Sequence, residues 1–161
     1  MRYFQAMTTT ISNIMRKKLE TIEATASVQQ AAMKMKDRNV SSLLIVDEKG
    51  TPQGIVSERD LVTKICVSDR IASAVTNQEI MSSPLITVSS TSSPSEAADM
   101  MLQHNVRHLL VIERGSNNND NNTSNLNKPV GIITPLDFTR YQEYSNDNEK
   151  DTIEKILEYY I

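Results

Sequence analysis

Tryptophan is absent and aromatic residues make up only 4% of the 161 positions, too few for a base-stacking platform on single-stranded nucleic acid. Positive charge is not in excess either. The formal net charge is -3, so no global basic field recruits nucleic acid or an anionic membrane. The single cysteine, Cys66, excludes an internal disulfide framework and points to a reducing, cytoplasmic setting. It falls within a helical apolar pattern and reads as a small core residue. Residues 1–20 hold no uninterrupted apolar run and carry Arg16, Lys17 and Lys18, so neither a signal peptide nor a membrane span is expected. A catalytic set is missing as well. Ser57 has no histidine near it in sequence, and the two histidines, His104 and His108, cluster far along the chain, which argues against an enzyme. Those histidines flank an expected helix end at Asn105 and have no cysteine or carboxylate cluster beside them, so metal binding is discounted.

What the chain does contain is one short pattern used twice: Gly54-Ile55-Val56-Ser57-Glu58-Arg59-Asp60 and Gly131-Ile132-Ile133-Thr134-Pro135-Leu136-Asp137. The β-branched pair reads as the end of a buried strand. Ser57 or Thr134 then stands at a helix N-cap, followed by an apolar helical pattern: Leu61, Val62 and Ile65 in one copy, Leu136, Phe138 and Tyr141 in the other. Such a turn gathers backbone N–H groups, a hydroxyl and a carboxylate, which suits the phosphate and ribose diol of a nucleotide. Both stretches also have capping-box spacing, with Asp in place of Glu, and Pro135 suits a first helical position. A helix cap alone would account for one copy. Repetition of the whole surroundings favours a ligand site.

The surroundings do repeat. Residues 10–19 read as a short helix with Ile11, Ile14, Met15 and Leu19 on one side and Arg16-Lys17-Lys18 at its C-terminal end. Thr21-Ile22 offers a short strand, Ser27 caps a helix that ends at Asn39, Leu43–Val46 is a buried strand, and Gln53–Val56 leads into the first pattern. Val67–Gln78 reads as a helical connector through Ile71, Ala74 and Val75. Ile80-Met81 then echoes Ile14-Met15 at an offset of 66 residues. At that offset Leu19, Thr21, Ala31, Ala32, Met35, Asn39, Val40, Leu43 and Leu44 meet identical residues, an internal repeat. The offset reaches 77 by Gly131 against Gly54, so 11 residues are extra. They lie in an Asn/Ser-rich segment expected to be a disordered hairpin loop. Met33, Met35, Met100 and Met101 read as core filler. Ser145–Lys150 reads as a polar hinge, and Asp151 opens a C-terminal helix with Ile153, Ile156, Leu157, Tyr160 and Ile161 on one stripe.

A duplicated strand–helix–strand–strand–helix unit ending in Gly-hydrophobic-hydrophobic-Ser/Thr-x-x-Asp resembles the cystathionine-β-synthase (CBS) domain, and the tandem resembles a CBS pair, or Bateman module. Ile80–Val88 and Asn105–Leu109 add to the likeness, which covers about residues 10–144. The expected organisation is α/β of the α+β type. Repeat 1 spans 10–66, a helical connector 67–79, repeat 2 80–144 with the disordered insert 115–128, and a C-terminal helix 145–161.

The resemblance implies two repeats packed by pseudo-twofold symmetry, with clefts that bind AMP, ADP, ATP or S-adenosylmethionine. It also implies a ribose role for Asp60 and Asp137 and a hydroxyl contact for Ser57 and Thr134. Adenine-side backbone contacts are implied near Thr21-Ile22 and Val40–Ser42, and near Thr87-Val88 and Val106–His108. Arg59, Arg107 and His108 are each divided between a phosphate contact and an ordinary structural or solvated role. Because Arg107-His108 stands where the first repeat has Ser41-Ser42, the cleft on Thr134 and Asp137 is expected to be the better anion site. The function expected is a stand-alone regulatory module that senses an adenosine nucleotide, forms a homodimer and signals to an unidentified effector protein. The alternative is a structural adaptor that dimerises with unoccupied clefts.

Overall fold

The computed structural model describes residues 9–113, 128–139 and 147–160. They form two compact units, Leu19–Leu85 and Met1–Lys18 with Ile86–Ile161. Each unit is a three-stranded sheet with helices, a mixed α+β arrangement.

In the Leu19–Leu85 unit, β1 (Thr21–Glu23) runs parallel to β2 (Ser42–Val46), which pairs antiparallel with β3 (Pro52–Ser57). Helix α2 (Val28–Arg38) makes the parallel crossover. Ser27 caps it, with Gln30 returning to the Ser27 N–H, and Asn39 ends it in the left-handed region. Val28, Ala31 and Met35 on the helix pack with Leu43, Ile45 and Val56 from the strands and with Ile65, Val75 and Ile80. Helix α3 (Glu58–Leu61) follows β3 directly and widens into a π-helical turn, Val62–Cys66. A 3-10 turn, Ala72–Ala74, and helix α4 (Asn77–Ile80) complete the unit.

The other unit repeats this with β4 (Thr87–Ser89), α5 (Pro94–His104), β5 (Leu109–Glu113), β6 (Lys128–Ile133) and α6 (Pro135–Phe138). Its N-terminal helix, α1 (Ile11–Ile14), and C-terminal helix, α7 (Asp147–Tyr160), lie on the same core. Ile11, Met101, Leu109, Ile133, Phe138, Ile153 and Ile156 are its large buried residues.

In each unit the chain segment that precedes the other repeat joins the edge of the sheet. Arg16 exchanges both backbone hydrogen bonds with Ile132, at 2.9 and 3.0 Å. Ser82 does the same with Ile55, at 2.8 and 3.1 Å. The glycines of the repeated pattern make this possible. A Cβ on Gly131 would lie 2.6 Å from Met15 Sδ and 2.8 Å from the Arg16 carbonyl. One on Gly54 would lie 2.7 Å from Met81 Sδ and 2.9 Å from the Ser82 carbonyl. Glycine stands there because another backbone crosses over it.

Five sequence expectations are corrected. The helix expected over 10–19 stops at Ile14, because Arg16 leaves it to pair with β6. Cys66 is exposed, since the wider π turn shifts the side-chain register and sends Ile65 inward instead. The connector 67–79 holds short turns rather than one helix, and Ile71 is exposed. Met33 is exposed while Met35 and Met101 are core. Helix α7 begins at Asp147, inside the expected hinge, since no glycine or proline interrupts 147–150. The loop expected to be disordered, 115–128, lies outside the described residues except for Lys128, as does Tyr141. No helix among the described residues is long and apolar enough to cross a membrane.

Candidate functional site

Each unit carries one hydroxyl–aspartate turn at the end of its last strand, and each can be built from the strand outward. In the Leu19–Leu85 unit, Ser57 ends β3 and lies opposite Ser42 of β2 in the ladder. Its extended backbone is the N-cap of α3. Asp60 turns back onto it, so that Oδ2 accepts from the Ser57 N–H at 2.9 Å and from the Ser57 hydroxyl at 2.6 Å. Oδ1 accepts from Lys64 Nζ at 2.8 Å, one helical turn on. The same ammonium donates to the Ile80 carbonyl at 2.6 Å. Thr21 and Ile22 stand on the neighbouring β1, where the Thr21 carbonyl accepts from Lys34 Nζ at 2.6 Å. Arg59 lies beside Asp60 on α3.

In the other unit, Thr134 follows β6 as the N-cap of α6, next to the Leu109–Ile133 pair. Asp137 Oδ2 accepts from the Thr134 N–H at 2.9 Å and from its hydroxyl at 2.8 Å. Oδ1 accepts from Arg16 Nε at 3.0 Å. Thr87 and Val88 lie on β4, parallel to β5, and His108 immediately precedes β5. Arg107 is turned toward the C-terminal helix. Its guanidinium stands 5.2 Å over the Tyr160 ring, and its buried Nε has no acceptor among the described residues.

Both carboxylates therefore work as helix caps, and both also keep acceptor capacity. A carboxylate offers about four lone-pair sites, and the contacts above occupy three on each. The side chain of Asp60 is 13% exposed and that of Asp137 only 1%. Lys64 and Arg16 were not candidates from sequence. Lys64 sits at the i+4 spacing that pairs with Asp60 on a helix, so that signal was available. Arg16 is joined to Asp137 across 121 residues, and only the pairing of its segment with β6 reveals it. Among the described residues there is no group of three or more His, Cys, Asp or Glu able to hold a metal ion.

The family model for the CBS domain matches residues 11–66 and 78–144. The chain belongs to the CBS domain family, as a tandem pair. An uncharacterised protein of Bacillus subtilis, YlbB, is 30% identical over 93% of both chains. An uncharacterised protein of Methanopyrus kandleri is 29% identical over 92% of this chain and 70% of its own length. One from Methanocaldococcus jannaschii is 28% identical over 83% of this chain, which spans only 32% of that protein. Among solved structures, a CBS domain protein of Thermoplasma acidophilum aligns at a TM-score of 0.72, with 19% identity, over 93% of this chain and 76% of that one. The CBS domain pair of protein MJ0100, solved in complex with 5'-methylthioadenosine and S-adenosyl-L-methionine, aligns at a TM-score of 0.66 with 25% identity, over 84% of this chain and 96% of that one.

Proposed function

We propose that this CBS pair is a regulatory module that binds adenosine-containing ligands at its two hydroxyl–aspartate turns and passes the binding event to a separate protein, without catalysing a reaction. The observation that carries this reading is the duplicated turn itself. Two carboxylates are fixed at a strand end by the same pair of bonds, and each has a lone pair its cap and cation do not use. Asp60 presents it at 13% exposure, and Asp137, at 1%, lies under Arg16 and presents it once that side chain shifts. The adenosine ligands of the MJ0100 pair support it by similarity. In this reading Asp60 and Asp137 take the ribose, and Ser57 and Thr134 hold the carboxylates in place. The backbone near Thr21, Ile22, Ser42, Thr87 and Val88 faces the base. Arg59, Arg107 and His108 are the candidates for phosphate. The exposed apolar side chains Val62, Val67 and Leu136 support a homodimer, and the effector is another chain.

A second reading, a ligand-free adaptor, is favoured by one feature: both carboxylates already hold a cation. Thermal unfolding with adenosine, AMP, ATP and S-adenosylmethionine separates the two. A ligand at a hundred times its Kd adds about 2.7 kcal/mol to the folded form, which raises the melting temperature by several degrees. Unfolding unaffected by every one of these compounds would leave the adaptor reading standing.

A further inference from the structure

We infer that Arg16 is an anion-recognition residue of the Asp137 half-site, and that it makes this half-site selective for phosphorylated adenosine over adenosine compounds without a phosphate. The inference rests on the nucleotide-binding reading above and narrows its ligand class.

The backbone of Arg16 is pinned to β6 by its two bonds with Ile132, over the bare Cα of Gly131. Its Nε–H is fixed on Asp137 Oδ1. A guanidinium is planar, so one anchored N–H together with a fixed backbone orients the whole fork. Both terminal amino groups remain available, since Nε alone is engaged among the described residues. The arginine side chain is 37% exposed, whereas the carboxylate beneath it is 1% exposed. What a ligand meets first at this turn is therefore the positive fork, and the carboxylate serves partly to aim it.

With the carboxylate covered and the arginine side chain 37% exposed, the two amino groups are what this turn offers a ligand, and the group they are placed to receive is an anionic substituent. Arg–phosphate pairing is among the stronger charge-assisted contacts. The Asp60 turn lacks this device. Its cation, Lys64, is already divided between Asp60 and the Ile80 carbonyl, and the position equivalent to Arg16 is Ser82.

The test is calorimetry of AMP and adenosine binding to the full chain, wild type against Arg16→Gln and Arg16→Lys, with thermal unfolding to confirm that each variant is folded. Arg16→Gln should weaken AMP by about ten- to a hundredfold and adenosine by clearly less, because adenosine has no anionic group to lose and feels only the release of Asp137. Arg16→Lys, which keeps the charge and loses the fork, should recover part of the AMP affinity. Equal losses for AMP and adenosine would assign Arg16 a purely structural role and overturn the inference. So would an unchanged AMP affinity, or adenosine binding the wild type as tightly as AMP. Failure of both compounds to bind the wild type overturns the nucleotide reading itself, and this inference with it.

Discussion

The two hydroxyl–aspartate turns reach the same local geometry by different means. Each carboxylate gives one oxygen to the N-cap N–H and hydroxyl, and the other to a cation. In one turn the cation comes from four residues along the same helix, Lys64. In the other it comes from Arg16 on a different segment, 121 residues away. The sources are exchanged position by position: the first copy has Ser82 where the second has Arg16, and the second has Tyr141 where the first has Lys64. A cap needs only neighbours in sequence, so both copies encode it the same way. Its counter-charge can be supplied from anywhere the fold brings close. The Asp60 turn is consequently a local device, and the Asp137 turn depends on the docking of the N-terminal segment.

The largest effect expected from this difference concerns the glycines. An alanine at either position meets a backbone oxygen at under 3 Å. The methionine sulfur can swing aside, but the carbonyl cannot move without breaking its pairing with the sheet. Gly54→Ala and Gly131→Ala should each cost about 1–3 kcal/mol in urea unfolding. Gly131→Ala should be the worse of the two, because the displaced carbonyl belongs to Arg16 and the ion pair to Asp137 moves with it. Equal costs would show that the Asp137 turn does not depend on its distant segment after all.

The ion pairs themselves come next. Arg16→Gln leaves a carboxylate with 1% exposure short of a charged donor, and should cost about 1–3 kcal/mol. Lys64→Gln removes a partner that is 40% exposed from an i,i+4 pair, and should cost under about 1 kcal/mol. Double-mutant cycles with Asp137→Asn and Asp60→Asn isolate the two pair energies. A coupling at Asp60 as large as that at Asp137 would mean that burial is not what separates the turns.

The same contrast explains what could be read from the chain beforehand. The strands, the crossover helices and their caps were legible because period, N-cap and left-handed Asn39 are all set by residues within a few positions of one another. The repeat carried over to Thr134 and Asp137 everything true of Ser57 and Asp60. Arg16 reads as the end of a helix because its run of basic residues suits a helix terminus equally well. Its actual partners, Ile132 and Asp137, belong to the other end of the sequence. Cys66 reads as core for a subtler reason. A π turn changes the angular spacing by a fraction of a residue, which a 3.6-residue pattern does not register. The orientation of Arg107 onto Tyr160 likewise depended on where α7 docks.

The smallest predicted effect tests the comparison at the short helices that lead into the two crossing segments. Helix α4 has Glu79 at its third position and α1 has Asn13 there, one charged and one neutral version of the same capping box. Glu79 accepts from the Thr76 N–H at 2.9 Å through one oxygen and from Arg70 at 2.6 Å through the other. The Thr76 N–H first, and then Arg70, hold its carboxyl below the ordinary value of 4.5. A group with a depressed folded pKa contributes stability that is full above its unfolded value and is lost as pH falls through the folded one. Glu79→Gln should therefore lower the melting temperature slightly at pH 7, and that gap should close as the pH is taken down below about 4.5. The reciprocal change, Asn13→Asp, should give α1 the same sense of pH dependence, with acid removing what neutral pH adds. A Glu79→Gln gap of constant size from pH 7 to pH 3 would place the effect in shape or hydrogen bonding rather than charge, and the two capping boxes would then be equivalent.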